Sequence, residues 1–180
     1  FEAPDFDVLF DSPILMGNLD SLPSFKAGNK PHYFFAFNPG SFDRQLFMND
    51  IKKIITTASG IIGDIPYTDY TFLAIGPGGG GIEHLNSTSV AFNGTGLDTN
   101  RKAKLKLYSF LSHEYFHHYN VKRIRPVELG PFDYDNGSRT KMLWLSEGVN
   151  VYYEPIILSR AGLMTEEEVL SNFGTSIFNY

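Results

Sequence analysis

Apolar side chains recur with two different spacings along this chain, and the spacing predicts which segments are strands. Residues 32–37 form a short aromatic run that ends at an Asn-Pro-Gly turn, which indicates a strand followed by a turn. Residues 70–75 are rich in β-forming side chains, and so are residues 87–92. A glycine cluster at 76–81 lies between them. The pattern therefore predicts a small sheet.

Helical spacing, with apolar residues three or four positions apart, covers four other segments. They run over about 41–58, capped by Ser41, then over about 100–119 and 140–153, and the last begins at Thr165. Pro155 is expected to kink or restart the third helix before residues 156–161. The expected apolar side of the first helix is Leu46, Phe47, Ile51, Ile54 and Ile55, and that of the second is Leu105, Leu107, Tyr108, Leu111 and Phe116. Asp98, Thr99 and Asn100 are alternative caps of the second helix. Strands interspersed with helices predict an α+β fold.

Composition narrows the class of protein. A chain of 180 residues that is 42% hydrophobic is long enough to bury a core. Its net charge of −5 and the lack of a basic run with interleaved aromatics argue against nucleic acid as a partner. No apolar run approaches the roughly 18 residues of a membrane span. Because the chain has 0 cysteines, any metal site must use histidine and carboxylate ligands.

The segment 113–117 carries the most specific chemistry, with the pattern H-E-x-x-H. Residues four apart are neighbours on a helix surface, so His113 and His117 can hold one metal ion. Glu114 lies about 100° round the helix from His113, where it reaches a metal-bound water instead of the metal. Two surface histidines beside a solvated glutamate are the alternative interpretation. The apolar stripe of the surrounding helix favours a metal site.

A third ligand is expected from the next helix, where Glu147 follows Trp-Leu-Ser. Two histidines and a glutamate, with the fourth position open, form the ligand set of a catalytic zinc site. The sequence therefore predicts a peptidase with one zinc ion per chain. From Glu147 to Glu154 is about two helical turns, so Glu154 is expected to orient the histidines from behind.

The glycine cluster at 76–81 satisfies the dinucleotide-binding pattern G-x-G-x-x-G in its letters. The residues that follow it resemble an extended segment more than the start of a phosphate-binding helix. Dinucleotide binding is therefore rejected. Glycines at 78–81 permit another backbone to approach closely, as a peptide-binding strand requires.

The motifs, taken in order, resemble the glycyl aminopeptidase family of metallopeptidases. They are the glycines followed by Ile82-Glu83-His84, residues 113–126, residues 131–134, and residues 143–148 with Tyr152-Tyr153. Residues 11–13 and 160–163 also fit, so the resemblance spans nearly the whole chain. It implies a thermolysin-like (gluzincin) catalytic domain, with a small mixed sheet and helices that carry the metal site.

The resemblance also implies that residues 1–180 are a truncated catalytic domain. Family members usually add an N-terminal β-domain and C-terminal helical and PDZ parts, and none of these is expected here. The chain begins with Phe1, as a piece of a longer protein would. The implied substrate is a peptide with a small N-terminal residue, glycine or alanine.

Residue roles follow from the same resemblance. Gly80 and Gly81 are expected to lie along the substrate, and Glu83 is expected to bind its free α-amine. A tyrosine is expected to stabilise the oxyanion: Tyr134, Tyr152 and Tyr153 are candidates, and a tyrosine beyond Tyr180 is the alternative. Glu114 acts as general base in this scheme. Two alternatives stay open: a binding or scaffold domain that keeps the metal without turnover, and an endopeptidase in which Glu83 points away from the cleft.

Overall fold

A computed structural model describes residues 2–178, which contain six strands and five α-helices. The strands are β1 (Asp20–Ser21), β2 (Phe25–Ala27), β3 (Lys30–Phe37), β4 (Tyr70–Ile75), β5 (Gly81–Glu83) and β6 (Ser87–Ala91). The helices are α1 (Phe6–Phe10), α2 (Arg44–Ile62), α3 (Arg101–Phe116), α4 (Leu143–Arg160) and α5 (Glu166–Phe178), with a 3₁₀ turn at Val127–Leu129.

The strands form one mixed sheet in the order β1-β3-β4-β6-β5, with β2 also pairing with β3. Strands β3, β4 and β6 are parallel, whereas β1, β2 and β5 pair antiparallel with their neighbours. The short strand β5 is at one edge, where it packs near α3. A mixed sheet with helices confirms the α+β prediction.

The strand predictions are accurate to within two residues at either end. β4 has the predicted bounds, while β3 begins earlier, at Lys30, and β6 ends one residue sooner, at Ala91. Alternate side chains of β3, namely His32, Phe34 and Ala36, are buried. This period of two produces the aromatic pattern that the sequence shows.

The start of α2 differs from the prediction, because Asp43 and not Ser41 caps it. The Asp43 carboxylate accepts a hydrogen bond of 2.8 Å from the backbone N–H of Leu46, so the helix begins at Arg44. Leu46 was expected on the apolar side, but it is 43% exposed. It lies about 100° round the helix from Phe47, which is buried in the core.

Helices α3 and α4 carry the two halves of the metal motif. Asn100 caps α3, accepting a 3.0 Å hydrogen bond from the N–H of Ala103. Within α3 the buried apolar residues are Tyr108, Leu111, Tyr115 and Phe116, whereas Leu105 and Leu107 are only partly buried. Helix α4 continues through Pro155 instead of restarting after it. Pro155 has no backbone N–H to donate to the carbonyl of Val151, one turn earlier in the helix.

A chain of buried hydroxyls anchors α3 to the sheet. Tyr115, inside the metal motif, forms hydrogen bonds of 2.6 Å with Tyr67 and 2.9 Å with Ser59. Tyr67 in turn contacts Nε2 of His32 at 2.8 Å. This connection fixes the motif helix against α2 and β3.

Among residues 2–178, no helix combines the length and apolarity needed to cross a membrane.

Candidate active site

The packing of α3 against α4 brings the three predicted metal ligands together. Nε2 of His113 lies 2.9 Å from Nε2 of His117 and 3.1 Å from a carboxylate oxygen of Glu147. The same oxygen is 3.6 Å from Nε2 of His117. One potential ligand atom from each residue therefore points to a common position.

The other ring nitrogen of each histidine faces a hydrogen-bond acceptor. Nδ1 of His117 donates to the backbone carbonyl of Asn120 at 3.0 Å, and Nδ1 of His113 donates to the carboxylate of Glu154 at 2.7 Å. With the protons on Nδ1, both Nε2 atoms present lone pairs. Two lone pairs 2.9 Å apart beside a carboxylate repel one another unless a cation lies between them. The cluster therefore fits a metal ion.

The spacing of these atoms also fits zinc. A tetrahedral ion with bonds of about 2.0–2.2 Å places its ligands about 3.3–3.6 Å apart, close to the 2.9–3.6 Å found here. His117 is buried, whereas the Glu147 side chain is 59% exposed. The cluster thus opens to solvent on the Glu147 side, which leaves a coordination position accessible.

Glu154 contacts His113 directly, as its spacing from Glu147 predicts. Burial acts to lower the pKa of His113, but the hydrogen bond to Glu154 and the charges of Glu154, Glu114 and Glu147 together outweigh burial, so that this pKa is raised. Burial raises the pKa of Glu154, partly offset by His113. A carboxylate in this position fixes the tautomer and orientation of a metal-binding imidazole.

Glu114 lies beside the cluster without entering it. Burial raises its pKa to about 7, and its Oε2 atom is buried with no hydrogen-bond partner among residues 2–178. The backbone of β5 packs directly on this side chain, because a Cβ atom at Gly81 would lie 2.6 Å from Cδ of Glu114. Glycine at position 81 therefore permits the strand to approach the carboxylate.

The edge strand β5 ends at Glu83 and is fixed there by a residue from far away in the chain. Asp11 accepts hydrogen bonds of 2.7 Å from the N–H of Leu85 and 2.7 Å from the ammonium of Lys122. His84 also contacts this carboxylate, at 3.4 Å. Asp11 thus ties the end of β5 to the segment that follows the metal motif.

The carboxylate of Glu83 affects the pKa values of two residues of the site. Burial lowers the pKa of His117 and raises that of Glu114, and the Glu83 carboxylate also acts on both groups to raise their pKa values. The pKa of His113 responds instead to Glu154, Glu114 and Glu147. Glu83 therefore acts on Glu114 and His117 from the end of β5, two residues after Gly81.

A cleft of about 1050 Å³ extends from the His113 end of the metal cluster. Gly80, Gly81, His113, Glu114 and Glu154 line its inner part. From there it continues between the first half of α3 and the side of α5. The predicted metal ligands form the cluster, and the predicted residues Gly80, Gly81, Glu114 and Glu154 line the cleft beside it.

Two buried asparagines position the site, although the motif search did not single them out. Asn120 donates hydrogen bonds to the carbonyl of Ser146 at 2.8 Å and to the side chain of Asn150 at 3.0 Å. Asn150 donates to the carbonyl of His113 at 3.0 Å. They join α3 to α4 at the level of the ligands. Their spacing of three residues after His117 and after Glu147 is the only sequence signal that marks them.

The three candidate tyrosines lie away from the cleft. Tyr134 donates to the carboxylate of Asp7 at 2.5 Å, and its ring packs against α1. Tyr152 stacks on Phe173 of α5, and Tyr153 stacks on Phe116. None of the three lines the cleft that the described residues form.

This chain is similar to a known peptidase family and to a solved aminopeptidase structure. The sequence model of the family described as M61 glycyl aminopeptidase matches residues 106–180, which include both metal motifs. Among solved structures, the chain is similar to an aminopeptidase N family protein from Idiomarina loihiensis, with 30% identity and a TM-score of 0.85. That match covers 93% of this chain but only 30% of the other chain. No curated protein matches significantly.

The fold is similar to part of that aminopeptidase N family protein, and it carries a cluster of two histidines and one glutamate that could hold a metal ion. The motifs together with both matches support the resemblance of this chain to the M61 glycyl aminopeptidases.

Proposed function

We propose that this chain carries the active site of a zinc-dependent aminopeptidase that removes small residues, glycine or alanine, from peptide N-termini. The observation that carries the proposal is the convergence of two imidazole lone pairs and a carboxylate, with the buried Glu114 beside them. The similarity to glycyl aminopeptidases supports the substrate class. The thermolysin-like (gluzincin) type of fold is part of the same proposal, because the ligands come from two packed helices beside a mixed sheet.

His113, His117 and Glu147 would hold the zinc ion. When bound, zinc supplies a Lewis acid and lowers the pKa of a water ligand to about 7. Glu114 is held next to that position by the backbone of Gly81, and its partnerless Oε2 atom accepts the proton of the attacking water. Glu114 then returns the proton to the leaving amine.

Glu83 and β5 position the substrate. As the last strand of the sheet, β5 has one edge that no strand of residues 2–178 pairs with. An extended peptide can add to such an edge through backbone hydrogen bonds. Glu83 ends this edge and binds the α-ammonium group through a charge-assisted hydrogen bond. The peptide therefore enters with its N-terminus towards Glu83, and its first peptide bond at the metal cluster.

The role of Glu114 is tested by Glu114→Gln in the zinc-loaded full-length protein. We expect hydrolysis of an alanyl or glycyl peptide to fall by about 10²–10⁴-fold because the base is lost. Zinc content should stay the same, because Glu114 is not a ligand. Loss of zinc in parallel with activity would show that the carboxylate is a ligand.

The role of Glu83 is tested with pairs of peptides that have a free or an N-acetylated amine. Glu83→Ala should raise KM for the free amine by about tenfold or more, while Glu128→Ala, at an exposed position outside the cleft, should change nothing. Efficient cleavage of acetylated peptides would identify an endopeptidase. Peptide binding without chelator-sensitive cleavage would identify the scaffold alternative.

A further inference from the structure

The cleft beside the metal cluster has an uncompensated positive charge along its outer half. Arg101, Lys102 and Lys106 line it from α3, and Glu168 lines it from α5. Arg101 and Glu168 neutralise one another through two hydrogen bonds of 2.6 and 2.7 Å. Neither lysine has an acidic partner within salt-bridge distance among residues 2–178. The cleft thus presents two free cations in a chain with a net charge of −5.

The wall opposite these lysines is polar and uncharged. It consists of side chains of α5 that are able to form hydrogen bonds, and they are Ser171, Asn172, Thr175 and Ser176. No acidic residue of this wall competes for the lysines, because Glu168 is already bound to Arg101. An anion entering the cleft would therefore meet two ammonium groups and the side chains of Ser171 and Asn172, because the hydroxyls of Thr175 and Ser176 donate to backbone carbonyls of α5.

The position of the lysines relative to Glu83 defines which part of a substrate they meet. The cleft extends from the His113 end of the metal cluster, and its lining includes Gly81 but neither Glu83 nor His117. A peptide whose amine is bound by Glu83 therefore places the residues after the cleaved bond in this cleft. Lys106 is seven residues from His113 along α3, about 10 Å, and Lys102 is about 16 Å away.

We infer that Lys102 and Lys106 bind a carboxylate on the leaving-group side of the substrate, so that the protein prefers short peptides or peptides with an acidic residue there. This inference rests on the proposed aminopeptidase function. An extended peptide advances about 3.3 Å per residue, so a carboxylate two or three residues after the cleaved bond reaches Lys106. Tripeptides and tetrapeptides with a free C-terminus satisfy this condition.

The test uses the zinc-loaded full-length protein and a tetrapeptide, alanyl-triglycine, as the free acid and as the C-terminal amide. Amidation should raise KM by roughly three- to tenfold with little change in kcat, because the contact is remote from the reacting bond. The double variant Lys102→Gln and Lys106→Gln should lose this difference. Glutamine preserves helix propensity, and unchanged melting temperatures would verify the fold.

Lys52→Gln is the matched control, because Lys52 is an exposed helical lysine outside the cleft that has no salt bridge among the described residues. It should leave the preference for the free acid intact. An amidated peptide with glutamate at its third position separates the two sources of the carboxylate. If this amidated peptide has the same KM as the free acid, the glutamate side chain can replace the C-terminal carboxylate in binding the lysines.

An equal KM for acid and amide, or a difference that persists in the double variant, would overturn the inference while leaving the aminopeptidase function intact. The opposite outcome, in which the carboxylate site is real but the proposed activity is wrong, is detected by measuring peptide binding to the Glu114→Gln protein with calorimetry. If the wild type does not hydrolyse the peptides but this protein binds the free acid in a Lys102- and Lys106-dependent way, the proposed activity is wrong and the carboxylate site stands. Absence of both hydrolysis and binding rejects both.

Discussion

Replacing Gly81 by alanine would test the close packing of β5 on the proposed catalytic base. The backbone of Gly81 is in the extended strand, so alanine introduces no conformational strain there. The new Cβ atom would lie 2.6 Å from Cδ and 2.8 Å from Oε1 of Glu114. The three atoms nearest to this Cβ all belong to Glu114, so the substitution displaces the base without altering a charge or a metal ligand.

The size of the effect follows from this distance. Non-bonded carbon atoms normally approach to about 3.5–4.0 Å, so the Glu114 carboxylate must move by about 1 Å. A displacement of about 1 Å in a reacting group costs roughly 10²-fold in rate. The free energy of unfolding should change by less than about 1 kcal/mol, because the end of a side chain yields more readily than backbone. Activity and stability are thus expected to separate.

The assay compares kcat for an alanyl peptide, zinc content and melting temperature in Gly81→Ala and Gly79→Ala. Gly79 is a suitable control because it belongs to the same glycine cluster and has no positive φ, and a Cβ atom added there would meet no other atom within 4 Å. We expect Gly79→Ala to behave like the wild type. Full activity of Gly81→Ala would refute the close packing of Gly81 on Glu114 as the feature that positions the base. A loss of zinc in Gly81→Ala would show that the effect is not restricted to the base.

Two further predictions concern the support of the site. Glu154→Gln should weaken zinc binding by about 10–100-fold, measured by competition with a chelator, because His113 loses its charged acceptor; unchanged affinity would show that Glu154 does not tune the ligand. His32 is buried and its pKa is lowered by burial to about 4, below about 6.5 in the unfolded chain, so the unfolded state takes up the proton first. Stability is therefore present above pH 6.5 and lost as pH falls towards 4, by about 3 kcal/mol in denaturant titrations of metal-free protein, and His32→Gln should reduce this slope. Equal pH slopes in both proteins would contradict the assignment.

Local patterns in the sequence predicted the longer strands and helices but missed the short elements α1, β1 and β2. The patterns also indicated the residues that form the candidate metal cluster, because backbone geometry sets their spacing. Residues four apart meet on any α-helix, so the metal-binding face of α3 can be read from the letters alone. The same holds for the burial alternation of β3 and for the spacing of Glu154 after Glu147. Where short-range choices are nearly equivalent, prediction failed: Ser41 and Asp43 are both good caps, and the contact with Leu46 decided between them.

The tertiary structure decided everything that depends on residues distant in sequence. The approach of Glu147 to His113 requires α3 and α4 to pack in one register, which the hydrogen bonds of Asn120 and Asn150 fix. The contact of Asp11 with Leu85 spans 74 positions, and no local period encodes it.

The ion pair of Arg101 with Glu168, which joins α3 to α5, leaves Lys102 and Lys106 as the cations of the cleft that have no acidic partner among residues 2–178. The spacing of residues in the sequence indicates which face of a helix or strand a side chain occupies, whereas packing determines which other residues that face contacts. The sequence by itself therefore determined the chemistry of the motif, and the folded chain decided which groups surround it.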